Sequence, residues 1–348
     1  MLEPLVSVII VNHNGAAFVE ECLASVGTSR YGNFEVIVVD NGSTDGSLQR
    51  ARAHSGGDPR VRFVENETSV GPAVGRNRGA AVARGEYLAF LDNDTRVDPG
   101  WIGEFVRVFA GDPSIGAGQA KLLRMGTDSQ FDCAGDYLGP LGFLIERARS
   151  AKDTGQFDMI SEILSAKSAA SVIRGDLFRK IGGFDEEYYM YLEETDLSWR
   201  VWLAGYRVVF IPGAVVYHAY NTARKNVKDR KFYPVFVLRF YGCRNYIQTL
   251  IKNLGGKNLC RYLPLHLACW CALGVLFMLK RSPADGWYIL MGIWWNVINL
   301  PHVLRKRSFI NRRIRSVDDD SILRRVSDHK PLGYYAGKGF AYLTGRAY

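Results

Sequence analysis

The first part of this chain repeats one pattern, an apolar strand-like segment followed by a helical segment, and this repeat limits the folds open to it. The strand pattern occupies residues 5–11, 34–39, 61–64 and 87–91, and helical patterns lie between these segments. Strands that are apolar nearly throughout and alternate with helices predict a mostly parallel sheet with helices on both faces. The predicted fold class is therefore α/β, of the Rossmann-like kind.

Short polar side chains follow every one of these strands. The strand ends read Asn12-His13-Asn14, Asp40-Asn41-Gly42-Ser43, Glu65-Asn66 and Asp92-Asn93-Asp94. Ligands of open α/β sheets bind at the carboxyl ends of the strands. The sequence therefore predicts one ligand site along this edge.

Farther along, the pattern is less regular. Helices are predicted at 101–109 and 193–203, strands at 206–211 and 214–217 separated by Pro212-Gly213, and mostly loops at 125–165.

Asp92-Asn93-Asp94 is the strongest candidate for a metal site. Two carboxylates at a strand end repel each other unless a cation joins them, and hard oxygen ligands suit Mg²⁺ or Mn²⁺. Such an ion would neutralise a diphosphate and stabilise the charge on the leaving group. A short acidic turn also arises by chance, so the tripeptide gains weight from its place at the end of a strand.

Two further strand-end and helix positions have alternative interpretations. Ser43 or Thr44 can cap the helix predicted at 45–53, whereas Asp40 precedes that cap and is free to accept a hydrogen bond from the imide N–H of a pyrimidine base. Arg76 and Arg78 either face solvent on the third helix or bind a diphosphate.

Glu193-Glu194-Thr195-Asp196 opens the helix predicted at 193–203. Acids favour the positive end of a helix dipole, and Asp196 can pair with Arg200 four residues later. A third acid in the same turn adds repulsion, and a general base would account for it. His218 ends a strand and is either structural or a metal ligand.

Charge divides the chain in two. Residues 1–221 carry 21 Lys and Arg against 29 Asp and Glu, a net charge of −8, whereas residues 222–348 carry 23 against 6, a net charge of +17. The basic part also contains two uncharged stretches, 262–279 and 286–304. A membrane surface requires such stretches and nucleic acid does not, so we expect a membrane partner and no nucleic acid.

The two uncharged stretches allow two arrangements. Each is close to the about 20 residues that a spanning helix needs. A two-span hairpin would export Lys280-Arg281 against the positive-inside bias, so a re-entrant or interfacial helical pair is favoured over two spans. Helices packed on the catalytic domain or on another subunit remain the alternative. The six cysteines show no paired spacing and the amino terminus lacks a basic region, which indicates a reduced, cytoplasmic chain without a zinc site.

Taken together, the motifs of residues 5–222 resemble those of the family 2 inverting glycosyltransferases, which have the GT-A fold, and more narrowly the bacterial rhamnosyltransferase-like branch. The strings that carry the resemblance, in the order of the family, are 8–14, 38–45, 71–79, 85–94, 182–186 and 193–200. The resemblance implies a catalytic domain at 1–222, with nucleotide-sugar binding at about 1–98 and the acceptor side at about 99–222. Residues 223–348 would form a basic, apolar, membrane-associated helical region.

The resemblance also implies roles for single residues. Asp94 and His218 would ligate the metal, with Asp92 as a further ligand or as a contact to the ribose or to a metal-bound water. The side chains expected around the nucleotide-sugar are Asn12, Asn14, Asp40, Asn41, Arg76, Asn77, Asp92 and Asn93. The base would be Glu194, where the family has aspartate, and Glu193 remains an alternative.

The function that follows is transfer of a sugar, with inversion, from a nucleoside-diphosphate sugar carrying UDP, dTDP or GDP. The acceptor would be a hydroxyl of a glycan or of a polyprenyl-diphosphate-linked saccharide at the cytoplasmic face of the cell membrane. The alternative is a non-catalytic nucleotide-sugar-binding or membrane scaffold protein. A nicotinamide dehydrogenase would need GxGxxG after the first strand, where this chain has Asn12-His13-Asn14-Gly15.

Overall fold

The computed structural model describes residues 3–219, 236–280 and 282–328, together with residues 330, 331, 333, 334 and 337. The chain forms two compact units. The first comprises residues 1–136 and 146–228, and the second comprises residues 137–145 and 229–348. The domain boundary predicted at residue 222 lies outside the described residues and stays a prediction.

A large mixed sheet organises the first unit. Its strands are β1 (Val6–Asn12), β2 (Phe34–Asn41), β3 (Val61–Asn66), β4 (Tyr87–Asp92), β5 (Thr95–Val97), β6 (Ile115–Arg124), β7 (Phe131–Cys133), β10 (Ser161–Glu162), β11 (Ala170–Arg174) and β12 (Arg207–His218). The strand order is β10-β12-β6-β11-β4-β1-β2-β3, with β5 beside β12 and β7 beside β6. A separate two-stranded sheet joins β8 (Asp136–Leu138) to β9 (Leu144–Glu146).

The four strands predicted from the amino-terminal pattern all form, and they pair in parallel in the order β4-β1-β2-β3. Their carboxyl ends consequently meet at one edge, with Asn12 beside Asp40 and Asn41 beside Asn66 in the register. The strand β11 runs antiparallel to both β4 and β6, so the sheet is parallel only in part.

Helices cover both faces of this sheet, as predicted. They are α1 (Val19–Gly27), α2 (Ser47–Ser55), α3 (Pro72–Val82), α4 (Trp101–Gly111), α5 (Gly175–Lys180) and α6 (Glu193–Leu203). Alternate side chains of a strand point to opposite faces. Val8 and Ile10 accordingly join the core that includes Trp101 of α4, whereas Ile9 lies against Gly79 of α3. A Cβ at Gly79 would come within 2.5 Å of Ile9, so the missing side chain lets α3 pack closely on the sheet.

Two local predictions are corrected by the structure. Residues 206–217 form one strand, β12, in which the register against β6 shifts between Ile211 and Val215, so Pro212-Gly213 makes an irregularity within a strand and does not end it. Neither Ser43 nor Thr44 caps α2, which begins after Gly46, and Asp45 accepts the hydrogen bond from the Ser47 N–H instead.

The second unit is helical. A π-helical turn at Val237–Tyr241 precedes α7 (Gly242–Asn253), α8 (Gly256–Lys280), α9 (Pro283–Ile298), α10 (Leu300–Arg313) and α11 (Asp319–Val326). Its apolar core includes Ile247 and Ile251 of α7, Trp270 and Phe277 of α8, and Ile289 of α9.

The two uncharged stretches of the second unit differ in structure. Among the described residues, one stretch, Gly256–Leu279 within α8, is long and apolar enough to cross a bilayer by length and composition alone. The stretch 286–304 does not form a single helix, because α9 ends at Ile298 and α10 begins at Leu300, with Asn299 between them and Pro301 in the first turn of α10.

Candidate active site

The polar strand ends form one hydrogen-bonded network, and Asn12 at the end of β1 is its centre. The Asn12 Nδ2 group lies 2.8 Å from both the Asp40 Oδ1 atom and the Ser47 Oγ atom. Its Oδ1 atom accepts a hydrogen bond of 2.8 Å from Nδ2 of Asn93. Asn12 is fully buried, so it joins the ends of β1, β2 and β4 from inside the fold.

Asp40 is held on both oxygens. Its Oδ1 atom accepts from Asn12, and its Oδ2 atom accepts from the Ser43 backbone N–H at 2.9 Å. The residue is buried, so the predicted contact with a pyrimidine base would require a carboxylate oxygen to accept an additional hydrogen bond. That role stays a prediction.

Asn14 and Asn41 shape the loops at this edge. Asn14 adopts φ 51°, and its Oδ1 atom accepts from the Thr44 N–H at 2.8 Å, so it fixes the loop after β2. Asn41 is buried, donates to the Gly71 carbonyl oxygen at 3.2 Å and accepts from the Val70 N–H at 3.2 Å. Both asparagines thus shape the rim where a nucleotide is predicted to bind.

Asn93 lies where the chain after β1 passes unusually close. A Cβ placed on Gly15 would lie 1.9 Å from Asn93 Nδ2 and 2.4 Å from Asn12 Oδ1. Contacts below about 3 Å are not tolerated, so glycine is required at this position for the hydrogen bond between Asn93 and Asn12 to form.

Asp92, Asp94 and His218 meet in a single cluster. One potential ligand atom from each lies within 4.8 Å of the others. The meeting depends on β12, because His218 pairs in register with Thr95 of β5, the residue directly after Asp94. Two carboxylates and one imidazole form a donor set suited to Mn²⁺ or Mg²⁺, so the residues present fit the predicted ion.

The imidazole of His218 is oriented by a second acid. Its Nδ1 atom lies 2.9 Å from Asp132 Oδ2, and its Nε2 atom lies 3.2 Å from Asp94 Oδ1. Burial by itself would lower the pKa of His218, but hydrogen bonds to Asp132 and Asp94 raise that pKa well above its usual value. A carboxylate on one ring nitrogen that leaves the other for a cation is the common arrangement around metal-binding histidines.

Arg76 connects the cluster of candidate metal ligands to the amino terminus of α6. Its buried guanidinium lies 2.8 Å from Asp92 Oδ1 and 2.9 Å from Glu193 Oε1. The structure therefore assigns Arg76 an internal ion-pair role, and contact with a diphosphate remains a prediction. Arg78, the alternative, donates to the side chain of Asn66.

The two adjacent glutamates of α6 have different environments. Glu193 is buried and paired with Arg76, whereas Glu194 is half-buried. Burial and the neighbouring charge of Glu193 raise the pKa of Glu194 to about 7. A carboxyl group with a pKa near neutral pH is suited to general-base catalysis.

A strained turn directly precedes α6 and leads into Glu193 and Glu194. Tyr189, Tyr191 and Leu192 have φ values of 57°, 69° and 67°, which L-residues rarely adopt. Gly71, which precedes α3, has φ 83°, and a Cβ there would lie 2.7 Å from the Tyr189 carbonyl oxygen. Clustered strain of this kind occurs most often at functional sites.

Asn77 contacts a different part of the protein from the other predicted residues. Its amide nitrogen donates to the Phe184 carbonyl oxygen and to Glu186 Oε1, and its oxygen accepts from the Phe184 N–H at 2.9 Å. Both ends of the amide are committed to the turn before α6, so this geometry gives the predicted nucleotide contact no support.

Asp132 and Gly15 are site residues that sequence reasoning missed. Asp132 lies in the irregular segment 125–165 without a motif around it, so no local signal marks it. Gly15 directly follows the polar string at the end of β1, and its position next to that string was the available signal.

Comparison with known families relates this chain to glycosyltransferases. The model of glycosyl transferase family 2 matches residues 7–133, and that of glycosyl transferase family group 2 matches residues 87–302. The chain is 29% identical over 230 residues to the pre-mycofactocin glycosyltransferase of Mycobacterium tuberculosis, covering 65% of this chain and 45% of that protein. It is 28% identical over 219 residues to glycosyltransferase AglE of Haloferax volcanii, covering 62% of this chain and 67% of that protein.

A third similar protein, the O-antigen biosynthesis protein RfbC of Myxococcus xanthus, is 31% identical over 205 residues, covering 57% of this chain. This chain spans 16% of RfbC and less than half of the pre-mycofactocin glycosyltransferase.

Solved structures share the fold at low sequence identity. TarS 1–349 of S. aureus, in complex with UDP-GlcNAc, aligns with a TM-score of 0.58 at 16% identity over 88% of this chain and 87% of that one. Mannosyltransferase PcManGT of Pyrobaculum calidifontis, in complex with GDP-Man and Mn²⁺, aligns with a TM-score of 0.53 at 18% identity over 89% and 86%. The predicted GT-A fold is confirmed by these neighbours.

Proposed function

This chain belongs to glycosyl transferase family group 2, and we propose that it is a metal-dependent inverting glycosyltransferase that uses a nucleoside-diphosphate sugar. The observation that carries the proposal is the pair of ion pairs that Arg76 forms with Asp92 and Glu193. Asp92 belongs to the three candidate metal ligands, and Glu193 precedes Glu194, whose carboxyl group has a pKa of about 7.

The proposed reaction is a single in-line displacement. Glu194 accepts the proton of the acceptor hydroxyl while that oxygen attacks the anomeric carbon, and the bond to the nucleoside diphosphate breaks on the opposite side. Configuration inverts, and no sugar becomes attached to the protein. Glu193 is the less suitable candidate, because its side chain is buried and its carboxylate is already paired with Arg76.

Asp94, His218 and Asp92 would hold the divalent ion, which supplies positive charge for the departing diphosphate. Asp132 keeps the His218 imidazole in place for this purpose. Arg76 sets the position of Asp92 and so acts on the site from inside the fold. The choice between Mg²⁺ and Mn²⁺ stays open. TarS and PcManGT bound to UDP-GlcNAc and GDP-Man support UDP- and GDP-sugars as first candidates.

The acceptor is proposed to be a glycan or a polyprenyl-diphosphate-linked saccharide at the cytoplasmic face of the membrane. The rhamnosyltransferase-like motifs support a deoxyhexose among the candidate donor sugars. Membrane attachment is supported by exposed apolar side chains on α8 to α10 together with a net charge of +17 over residues 222–348.

The direct test is donor binding followed by product analysis. The full chain is incubated with UDP-GlcNAc, UDP-glucose, dTDP-rhamnose or GDP-mannose, each with Mn²⁺, Mg²⁺ or EDTA, and the melting temperature and nucleotide release are measured. We expect at least one donor to stabilise the protein only with metal and to be hydrolysed slowly. NMR of the first-formed sugar should show the inverted anomer.

Asp94→Asn is the matching variant, and Asp58→Asn, at a surface pair with Arg60, is its control. Asp94→Asn should abolish the metal-dependent stabilisation, and Asp58→Asn should retain it. Metal-dependent binding without any turnover would favour the non-catalytic binding protein instead. A retained anomeric configuration would overturn the displacement mechanism.

A further inference from the structure

A second group of charged side chains acts electrostatically on Glu194 and takes no part in the reaction described above. Lys167 Nζ lies 2.9 Å from Asp136 Oδ2 and 3.5 Å from Glu146 Oε1. Asp136 is fully buried, and Lys167 is half-buried. Buried charges are costly unless they are compensated, so an ammonium placed among acids calls for a reason.

The backbone fixes this group against α6. Asp136 pairs with the segment before Lys167, because the Leu164 N–H donates to the Asp136 carbonyl oxygen at 2.8 Å. The same segment is bound to α6, since the Ala166 N–H donates to Ser198 Oγ at 3.2 Å and Ser165 Oγ lies 3.1 Å from Thr195 Oγ1.

Glu194 lies close to the segment that precedes Lys167. Thr195 follows it directly on α6, and Glu194 and Ala166 both line one small cavity with Ser198 and Phe184. Lys167 follows Ala166 in the chain. The segment that carries Lys167 is therefore hydrogen-bonded to the same helix that carries Glu194.

The charges acting on Glu194 are of both signs. Among the described residues they include Glu193 on its own helix, Arg76 of α3, Lys167 of the segment before β11, and Asp136 of β8. Burial and Glu193 raise the pKa of Glu194, and Lys167 and Arg76 lower it. Burial likewise raises the pKa of Asp136, to about 6, and repulsion from Glu194 adds to that shift.

We propose that Lys167 is a positioning residue for sugar transfer, whose ammonium keeps the Glu194 carboxylate ionised and able to take the acceptor proton, and that Asp136 opposes it by holding that ammonium and repelling the base. This inference rests on the proposed function, because it assigns Glu194 the role of base. It explains how a carboxylate beside another buried glutamate remains usable at neutral pH.

The sign of each effect is fixed by electrostatics. Removing a nearby positive charge disfavours the ionised carboxylate, so Lys167→Met should raise the titration midpoint of Glu194. Removing a nearby negative charge does the reverse, so Asp136→Asn should lower it. A nearby opposite charge shifts a carboxyl pKa by about 1–3 units, so the Lys167→Met shift should reach about one unit.

The experiment titrates the Glu194 carboxyl directly in the full chain. Glutamate labelled with ¹³C at the carboxyl group is followed by NMR across pH, and the Glu194 signal is assigned by its loss in Glu194→Gln. Lys167→Arg should stay near the wild-type midpoint because it keeps the charge. Lys121→Met is the matched control, because Lys121 is also held by two acids, Asp153 and Asp158, and lies on β6, away from α6 in sequence.

Opposite shifts in Lys167→Met and Asp136→Asn, with none in Lys121→Met, would support the proposal. Shifts in the same direction, or none, would overturn it. If Lys167→Met does not fold, Asp136→Asn alone decides, since its midpoint must fall.

The rate of donor hydrolysis is also measured against pH, with the donor and metal found active above. The pH at which this rate falls on the acidic side must shift in the same direction as the titration midpoints. If the midpoints move but that pH does not, the positioning role is wrong while the charge coupling stands. Wild-type hydrolysis by Glu194→Gln would instead refute the proposed function itself, and the NMR titration would still report on Lys167.

Discussion

The two compact units of this chain differ in where the first has its candidate site and in how much apolar surface the second exposes. In the first unit the charges of the site are paired inside the protein, with Arg76 between Asp92 and Glu193, and His218 between Asp94 and Asp132. In the second unit the exposed surface combines apolar and basic side chains. This contrast is consistent with our proposals that the first unit carries the reaction and that the second binds a membrane surface.

The exposed apolar side chains of the second unit are large. Trp294 is 62% exposed, Leu279 76% and Trp287 57%. Other exposed apolar residues on α8 to α10 are Leu265, Val275, Val297, Ile298, Leu300, Leu304 and Phe309. Large exposed apolar patches generally occur at interaction sites, and together with the basic residues that follow they support the proposed binding to an anionic lipid surface.

The largest expected effect is a loss of turnover caused by a substitution in the first unit. Glu194→Gln removes the proton acceptor but keeps the size of the side chain, so turnover should fall by about 10²–10⁴-fold. Donor affinity and vesicle binding should be unchanged. Nucleotide release under saturating donor measures the loss.

The control for this change is Glu20→Gln, at a surface glutamate paired with Arg50. It should keep wild-type turnover. Equal losses in Glu194→Gln and Glu193→Gln would show that the two acids act as one group and would contradict the assignment of a single base.

A smaller effect, on vesicle binding, is expected from substitutions in the second unit. Replacing Trp287 and Trp294 by serine removes two exposed aromatic side chains, each worth about 1.5–3 kcal/mol when buried in an apolar phase. Partition onto vesicles of phosphatidylglycerol and phosphatidylcholine should fall by about tenfold or more, and donor hydrolysis should stay at the wild-type rate. Sedimentation with vesicles measures the partition.

Met159→Ser provides the comparison, because Met159 is an exposed apolar residue of the first unit, at 81%. Its partition should match that of the wild type. If the double tryptophan variant binds vesicles normally but changes its oligomeric state, the surface is an interface between protein chains, and the membrane proposal is wrong.

The smallest expected effect concerns a single contact at the site. Gly15→Ala places a methyl group against Asn93 and Asn12, and forcing extra volume into a packed site costs about 1–3 kcal/mol. The free energy of unfolding should fall accordingly, and donor binding should weaken. Urea denaturation and donor titration measure the two effects.

Gly27→Ala is the matched substitution, since a Cβ at Gly27 in α1 meets no atom within 4 Å. It should leave stability unchanged or slightly raised. Wild-type stability in Gly15→Ala would show that the edge of the sheet adapts more freely than its hydrogen-bonded network implies.

Local patterns in the sequence were enough to predict much of the first unit. The continuous apolar runs of β1 to β4 predicted strands of a parallel sheet that is covered on both faces, and polar residues directly follow each run. The helix 193–203 was also predicted with its observed bounds, because acids mark its start and Gly205 follows its end. Asp92, Asp94 and His218 were predicted as ligands, and they lie together.

The irregular parts were less predictable. Pro212-Gly213 interrupts the local strand pattern, yet β12 continues across it because pairing with β6 resumes after a shift in register. In the second unit, composition alone suggested two similar apolar stretches. Only the helix bounds show that one is continuous and that the other is divided at Asn299.

The sequence by itself determined the strands, their polar ends and the identities of the metal and base candidates, because these depend on neighbours a few residues away. The tertiary structure decided which of those candidates meet. Arg76 and Glu193 are 117 residues apart, and His218 and Asp132 are 86 apart. Lys167 reaches Asp136 only because strand pairing brings their segments together. Such contacts depend on how distant strands pair, and no local pattern encodes that pairing.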